Sequence, residues 1–431
     1  MSKSLDAKLA EIKANPASRA FLIADAKDAD MAYGVKATGP RAYLSSRGAR
    51  AAKFSPEVWT REEFGCRNLP EFTDIIREVV RQGVVDIMLM SASVNEHLTI
   101  KEGLFRGSPV TPAVRANDTT DIWVVRHGRY VTAPARPFRT ATIDHIQCGL
   151  AACERDGGEL PGANLGLYSI TFVNDLEQDL ATLQAFKEFR LEAEQKRFRY
   201  FLEVFDPNVA SGVAPEKLGE FVNDNILRSL AGVTEAGRPL FLKIVYHGPR
   251  LMEELAQYDP NLVVGVLGGG AGTTYDAFRL IHDAQKYGAR VALFGRKINH
   301  AEHQLAFIEM LRLITDGRVG PEEAVRAYHG VLQARGIPPK LPLEKDLQLT
   351  DPAVSYGGAG RTTISLGANP APANTPGARP AAASKPEAAP AAASGAPTSW
   401  PLRPDGSPDF ARMNSAQRLA YDRARLTRKY G

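Results

Sequence analysis

The chain has 431 residues, 44% hydrophobic and 24% charged, and a formal net charge of +4, enough to bury one large core and too little basic surplus to suggest nucleic-acid binding. Three cysteines (Cys66, Cys148, Cys153) are too few and too irregular for a disulfide framework, and none forms a Cys-x-x-Cys metal or redox pair, so a reducing, cytoplasmic setting is expected. No run approaches the ~18 apolar residues of a membrane span, and the polar, helix-like start MSKSLDAKLAEIKANP lacks an apolar signal core.

In chain order, β-rich apolar runs alternate with amphipathic helical patterns, which predicts parallel βα units. Strands are expected over 21–25, 84–91, 110–116, 165–172, 200–205, 240–246, 262–267 and 290–294. Helices with apolar residues at three-to-four spacing are expected between them, for example over 72–82, 176–197, 215–230 and 275–287. Eight such units close a barrel more readily than they extend an open sheet. The first unit carries a long insertion, 31–71, and the third another, 122–141, with a hairpin expected over 122–131 turning near His127-Gly128. Insertions of this kind fall on βα loops and can cover a site as lids.

The segment NLVVGVLGGGAGTTYDAFRLIHDAQKYGARVALFGRK, residues 261–297, is the most informative. A strand ends in a glycine run, a helix follows, and a second strand ends in Gly295-Arg296. Glycines let the backbone approach an anion closely, and Thr273-Thr274 opens a helix whose positive end points the same way. The pattern is neither G-x-G-x-x-G nor a Walker A loop. Two such loops after the seventh and eighth strands are the usual phosphate site of an eight-stranded α/β barrel; ordinary tight turns are the other reading.

Chemistry in such a barrel lies where the strands end. Lys243 stands alone among apolar neighbours in LFLKIVY, and burial drives an ammonium toward the neutral amine that Schiff-base chemistry needs. Glu203 in FLEVF and Asp25 in LIAD supply carboxylates from two other strands. A structural lysine–glutamate pair without catalysis is the competing reading. Arg115 and Asp118, in the polar run RANDTTD, can bind sugar hydroxyls or a phosphate, or form a solvated loop. Arg126, Arg129, Arg136 and Arg139 in the third-unit insertion read mainly as a solvated basic loop, with contact to a distal phosphate as the other reading. His300 and His303 lack metal-ligand spacing, and no G-x-S-x-G elbow is present.

These residues resemble the class I aldolases of the deoxyribose-phosphate, tagatose-bisphosphate and archaeal-type fructose-bisphosphate superfamily, over roughly residues 20–314. The resemblance implies a (β/α)8 TIM barrel with Lys243 as the Schiff-base residue, Asp25 as the strand-one acid and Glu203 as the strand-five acid. It likewise implies Gly269, Gly270, Gly295 and Arg296 as a phosphate cradle. Two departures stand out. The seventh strand has no lysine, unlike deoxyribose-phosphate aldolases, and the fourth has none, unlike tagatose-bisphosphate aldolases. Tyr168 on the fourth strand can supply a phenol for proton transfer, as in the archaeal-type enzymes, or simply fill the core. The implied activity is cleavage or formation of a phosphorylated ketose, with no cofactor or metal, in a homo-oligomer. A phosphosugar-binding barrel without lyase activity, or transaldolase-like or synthase chemistry on the same lysine, are the alternatives.

The expected organisation is a barrel over 1–340, an extension over 341–366, a disordered Pro/Ala-rich linker over 367–398 and a short basic helical tail over 399–431, with Ser415 as N-cap. The tail resembles extensions that load enzymes into assemblies or microcompartments; a marginally helical tail with no partner is the other reading.

Overall fold

The computed structural model describes residues 2–15, 17–40, 66–154, 158–270, 272–351, 400–404, 407–414, 417–418, 420–421 and 424. Most of the first insertion (41–65) and the linker lie outside them. Residues up to 351 and those from 400 belong to different units, apart from Cys66, which falls with the latter, and each unit is described by itself.

Eight parallel strands close a barrel: β1 Leu22–Lys27, β2 Ile87–Met90, β3 Thr111–Arg115, β4 Leu165–Thr171, β5 Arg199–Phe205, β6 Leu242–Ile244, β7 Gly265–Leu267 and β8 Val291–Phe294. They neighbour one another in chain order, and β8 returns to β1 through the Leu22–Val291 register. All eight expected strands are present. Local signals explain the helices as well. Leu69–Gln82 starts at a capping box between Asn68 and Glu71 and stops at Gly83, whose φ of +70° suits glycine.

Alternation along each strand sorts side chains into two cores. Leu22, Ala24, Ile87, Leu89, Ala113, Leu165, Leu167, Phe201, Phe241, Val263, Val291 and Leu293 form one buried cluster inside the barrel, and Leu5, Leu9 and Ile12 of the helix Ser4–Ala14 join it. These three side chains fall at four- and three-residue spacing on one helix face, and each contributes about 1.5–3 kcal/mol by burial. A larger cluster, including Phe21, Ile23, Ile170 and Phe189, lies between strands and helices.

Two expectations are corrected. The third-unit insertion contains no ladder over 122–131; its short antiparallel pair is Asp118–Thr119 with Pro137–Phe138. The chain does turn at His127, with φ +68°. Cys148 and Cys153 form a disulfide, with Cα atoms 5.9 Å apart. The helix Ile143–Cys148 ends at Gly149, φ +77°, which turns the chain back toward Cys148. Unlinked cysteines were expected, and the reducing setting read from them loses that support. Among the described residues no helix is long and apolar enough to cross a membrane.

In the tail, Trp400 and Phe410 both stand edge-on to Tyr421, at 5.1 and 5.2 Å between centroids. Leu402 bridges Pro408, closing a small turn. The capping exchange joins Asn414 and Gln417, whose backbone N–H groups each donate to the other's side chain, so Asn414 takes the N-cap place expected for Ser415, which lies outside the described residues.

Candidate active site

Strand registers put Ser169 opposite Glu203 and Glu203 opposite Lys243, so three neighbouring strands carry one lateral row of polar side chains. Their parity is that of Leu167, Phe201 and Phe241, which places the row inside the barrel directly above its apolar floor. The Lys243 Nζ forms an ion pair with Glu203 Oε1, and both side chains are buried. Ser169 Oγ donates to Glu203 Oε2 at 2.7 Å, and Arg115 Nη1 donates to Ser169 Oγ at 3.1 Å. Asn117 locks the serine backbone, accepting from Ser169 N at 2.6 Å and donating to its carbonyl at 2.8 Å. Every polar member of the row therefore has a partner, as burial demands.

Arg115 anchors the row on the β1 side. Its Nε donates to Asp28 Oδ2 at 2.5 Å, while Asp118 Oδ1 and Glu203 Oε2 each stand 3.7 Å from the guanidinium. Burial opposes its charge, but Asp28, Asp118 and Glu203 outweigh that cost and hold Arg115 above its usual value. Burial pushes the Asp118 carboxyl up to about 6 against the pull of Arg115, with Asp28 and Glu203 adding to the rise. Asp121, held by Thr171 at 2.9 Å, is raised by burial too.

Above the row, Phe205, Val245 and Leu267 follow Glu203 and Lys243 by one layer and pack against Ile122 from the third-unit insertion. The first residue of the insertion thus packs over the ends of β5, β6 and β7. Lys243 lies between two apolar layers.

Two expected site residues face the other way. Asp25 shares the parity of Ile23, and both its oxygens accept from Lys27 Nζ, at 2.8 and 2.9 Å, in a fully buried pair. Burial pushes Asp25 up and Lys27 down, both toward their neutral forms. The carboxylate that reaches Arg115 from the end of β1 is Asp28. Tyr168 points into the helix layer, stacked on Phe189 with centroids 4.3 Å apart and near Phe186 at 5.3 Å, and burial pushes its phenol well up. Its core-filling reading holds, and it cannot reach a substrate at Lys243. Ser169 and Asp28 went unread in the sequence, and Asn117 was read only as part of the polar run RANDTTD; strict alternation from Glu203 and Lys243, with β4 in register, would have found Ser169.

The glycine loop after β7 is tightly fitted. Gly269 and Gly272 have φ of +56° and +77°. A Cβ on Gly268 would lie 2.1 Å from the Phe294 ring, and one on Gly270 would lie 2.6 Å from the Arg296 guanidinium. Gly295 caps the short helix Arg296–His300, with room for a Cβ only 3.2 Å from Ala26. Gly269, Gly270, Gly295 and Arg296 are thus brought together at the ends of β7 and β8. The helix Thr274–Lys286, by contrast, spends its first donors on the chain itself: Thr273 N donates to Asp276 at 2.7 Å and Thr274 N to Asp346 at 2.7 Å. The expectation that this helix end faces an anionic ligand is corrected. Downstream, Gln348 O accepts from Thr273 Oγ1 at 2.8 Å and Thr350 Oγ1 donates to Asp276 at 2.6 Å. Lys297, pushed down to about 8 by burial, donates to the carbonyls of Gly272 and Thr273.

Arg136 and Arg139 are engaged outside the mouth, with Gln178 at 3.0 Å and Glu192 at 2.6 Å. His303 caps the helix Gln304–Thr315. Among the described residues, no three His, Cys, Asp or Glu side chains are grouped as metal ligands.

Fold and site together define a (β/α)8 barrel with a buried, ion-paired lysine beneath its mouth. No family model matches the chain, and no curated protein matches it. Solved structures similar to it include an archaeal fructose 1,6-bisphosphate aldolase, at 15% identity and TM-score 0.48, covering 72% of this chain and 99% of that one. Cgl0159 from Corynebacterium glutamicum aligns at 14% identity and TM-score 0.46, covering 73% and 98%. The YdjI aldolase from Escherichia coli K12 aligns at 9% and 0.37, covering 76% and 97%. Likenesses this distant leave the chain's own geometry as the basis for function.

Proposed function

We propose that this chain is a class I aldol lyase that cleaves or forms a phosphorylated ketose through a Schiff base on Lys243. The observation that carries the reading is the buried Lys243–Glu203 pair, set in one row inside the barrel with apolar layers above and below. Glu203 touches the amine, so it can take the ammonium proton, leave a neutral nucleophile, and return the proton to the carbinolamine oxygen as water departs. The resulting iminium accepts the electron pair of the carbon–carbon bond as it breaks, while the hydroxyl on the departing carbon gives its proton to the Glu203 carboxylate and becomes the aldehyde carbonyl. Gly269, Gly270, Gly295 and Arg296 would hold the phosphate, fixing the carbonyl over Lys243.

Sodium borohydride added with dihydroxyacetone phosphate should leave a reduced adduct on Lys243, located by peptide mass spectrometry. Lys27, the other buried lysine of the barrel wall, should stay unmodified because it faces the helix layer. If neither this ketose nor a panel of phosphorylated ketoses and pyruvate yields an adduct on Lys243, the lyase reading is wrong. A phosphosugar-binding barrel would then remain.

A further inference from the structure

We propose that Asp118 is the catalytic acid–base of this site, moving the proton to and from the carbon next to the iminium carbon, the role that Tyr168 cannot fill. The inference rests on the Schiff-base reading and adds a residue to it. Five carboxylates lie in or beside this cluster, and four of them hold a hydrogen-bond or ion-pair partner. Asp28 takes the Arg115 Nε, Glu203 is shared by Lys243 and Ser169, and Asp30 and Asp121 each accept at one oxygen, from Ser91 and Thr171, and leave the other without a hydrogen bond among the described residues. Asp118 Oδ1 is buried and takes no hydrogen bond among the described residues; its nearest cation is Arg115 Nε at 3.7 Å. A buried carboxylate oxygen left in this way is costly unless a ligand group or a proton meets it.

The step balances as follows. In the iminium, the C–H bond next to the C=N carbon breaks and its proton passes to the Asp118 carboxylate. The bonding pair forms the C=C of the enamine, and the C=N pair moves to nitrogen and cancels its charge. After carbon–carbon cleavage the same enamine is protonated in reverse. The groups facing Asp118 are Arg115 from β3, Asp28 and Asp30 from the segment after β1, and Glu203 from β5. Burial and the three carboxylates favour its protonated form, while Arg115 opposes them. The ionised form accepts the proton, so exchange should rise as pH increases through about 6.

The test is deuterium exchange into dihydroxyacetone phosphate in D2O, followed by NMR, alongside borohydride trapping. Asp118→Asn should still trap at Lys243 but exchange about 10²–10⁴-fold more slowly, and its rate should lose the rise near pH 6. Exchange within a few-fold of wild type, or an unchanged pH profile, overturns the assignment while leaving the Schiff base intact. If wild type itself gives no adduct, the Schiff-base reading fails and this role fails with it. Asp118→Ala with added formate serves as the second variant. Partial recovery of exchange marks a proton-carrying carboxylate, whereas no response to formate marks a merely structural one.

Discussion

Lys243→Met should abolish turnover of whichever phosphorylated ketose wild type cleaves, by a factor on the order of 10⁴ or more, because a covalent nucleophile has no substitute once removed. Methionine keeps the length and apolar stem of lysine and so preserves packing between the Phe241 layer and the Val245 layer. The cost appears at Glu203, which loses its cation and keeps only Ser169 at hydrogen-bonding distance and Arg115 at 3.7 Å. Adding Glu203→Gln to the methionine variant should recover stability without restoring activity. Single-turnover kinetics and thermal unfolding read the two effects separately. Substantial activity in the methionine variant would show that Lys243 is a structural cation.

Arg115→Met should have the largest effect on the fold. Among the described residues this guanidinium is the cation shared by Asp28, Asp118 and Glu203, all buried, and its removal leaves Asp28 and Asp118 uncompensated while Glu203 keeps Lys243. A loss of about 3–5 kcal/mol at neutral pH is expected. The pH dependence has a definite sign. Without Arg115, burial leaves the folded-state pKa of Asp118 above its unfolded value, so the folded protein binds the proton more tightly. Arg115 pulls the Asp118 carboxyl down, so in the variant it lies higher still; stability should be greatest in the ordinary carboxylate range and fall as pH rises toward that raised value, the reverse of ordinary acid denaturation. Chemical unfolding of the variant at pH 5 and pH 8 measures this; equal midpoints would mean that the carboxylates are not held by Arg115.

The strands were legible because apolar runs alternate with helical periodicity, and Lys243 and Glu203 were legible because a charge inside an apolar strand is conspicuous. Face and register were not. β1 continues to Lys27, so taking Asp25 as its end put the acid at the mouth, when parity turns it outward and Asp28 arrives instead. Tyr168 failed for the same reason, one residue out of phase with Ser169. The role of Ser169 depends on β4 lying in register with β5, a non-local fact that no window of sequence contains. Glycine positions in the loop after β7 were readable, but Asp346, Gln348 and Thr350 meet that loop from more than seventy residues away.

That distant meeting changes where a minimal working fragment can end. Thr273, Thr274 and Asp276, which open the helix after the glycine loop, are fastened by residues 346–351. A version cut at 340 would keep every strand of the barrel and all of the residues around Lys243, yet lose the clasp on the start of the helix after the glycine loop. A version cut after 351 would retain it. The two truncations would therefore part company in the order of the glycine loop while sharing the same buried row around Lys243.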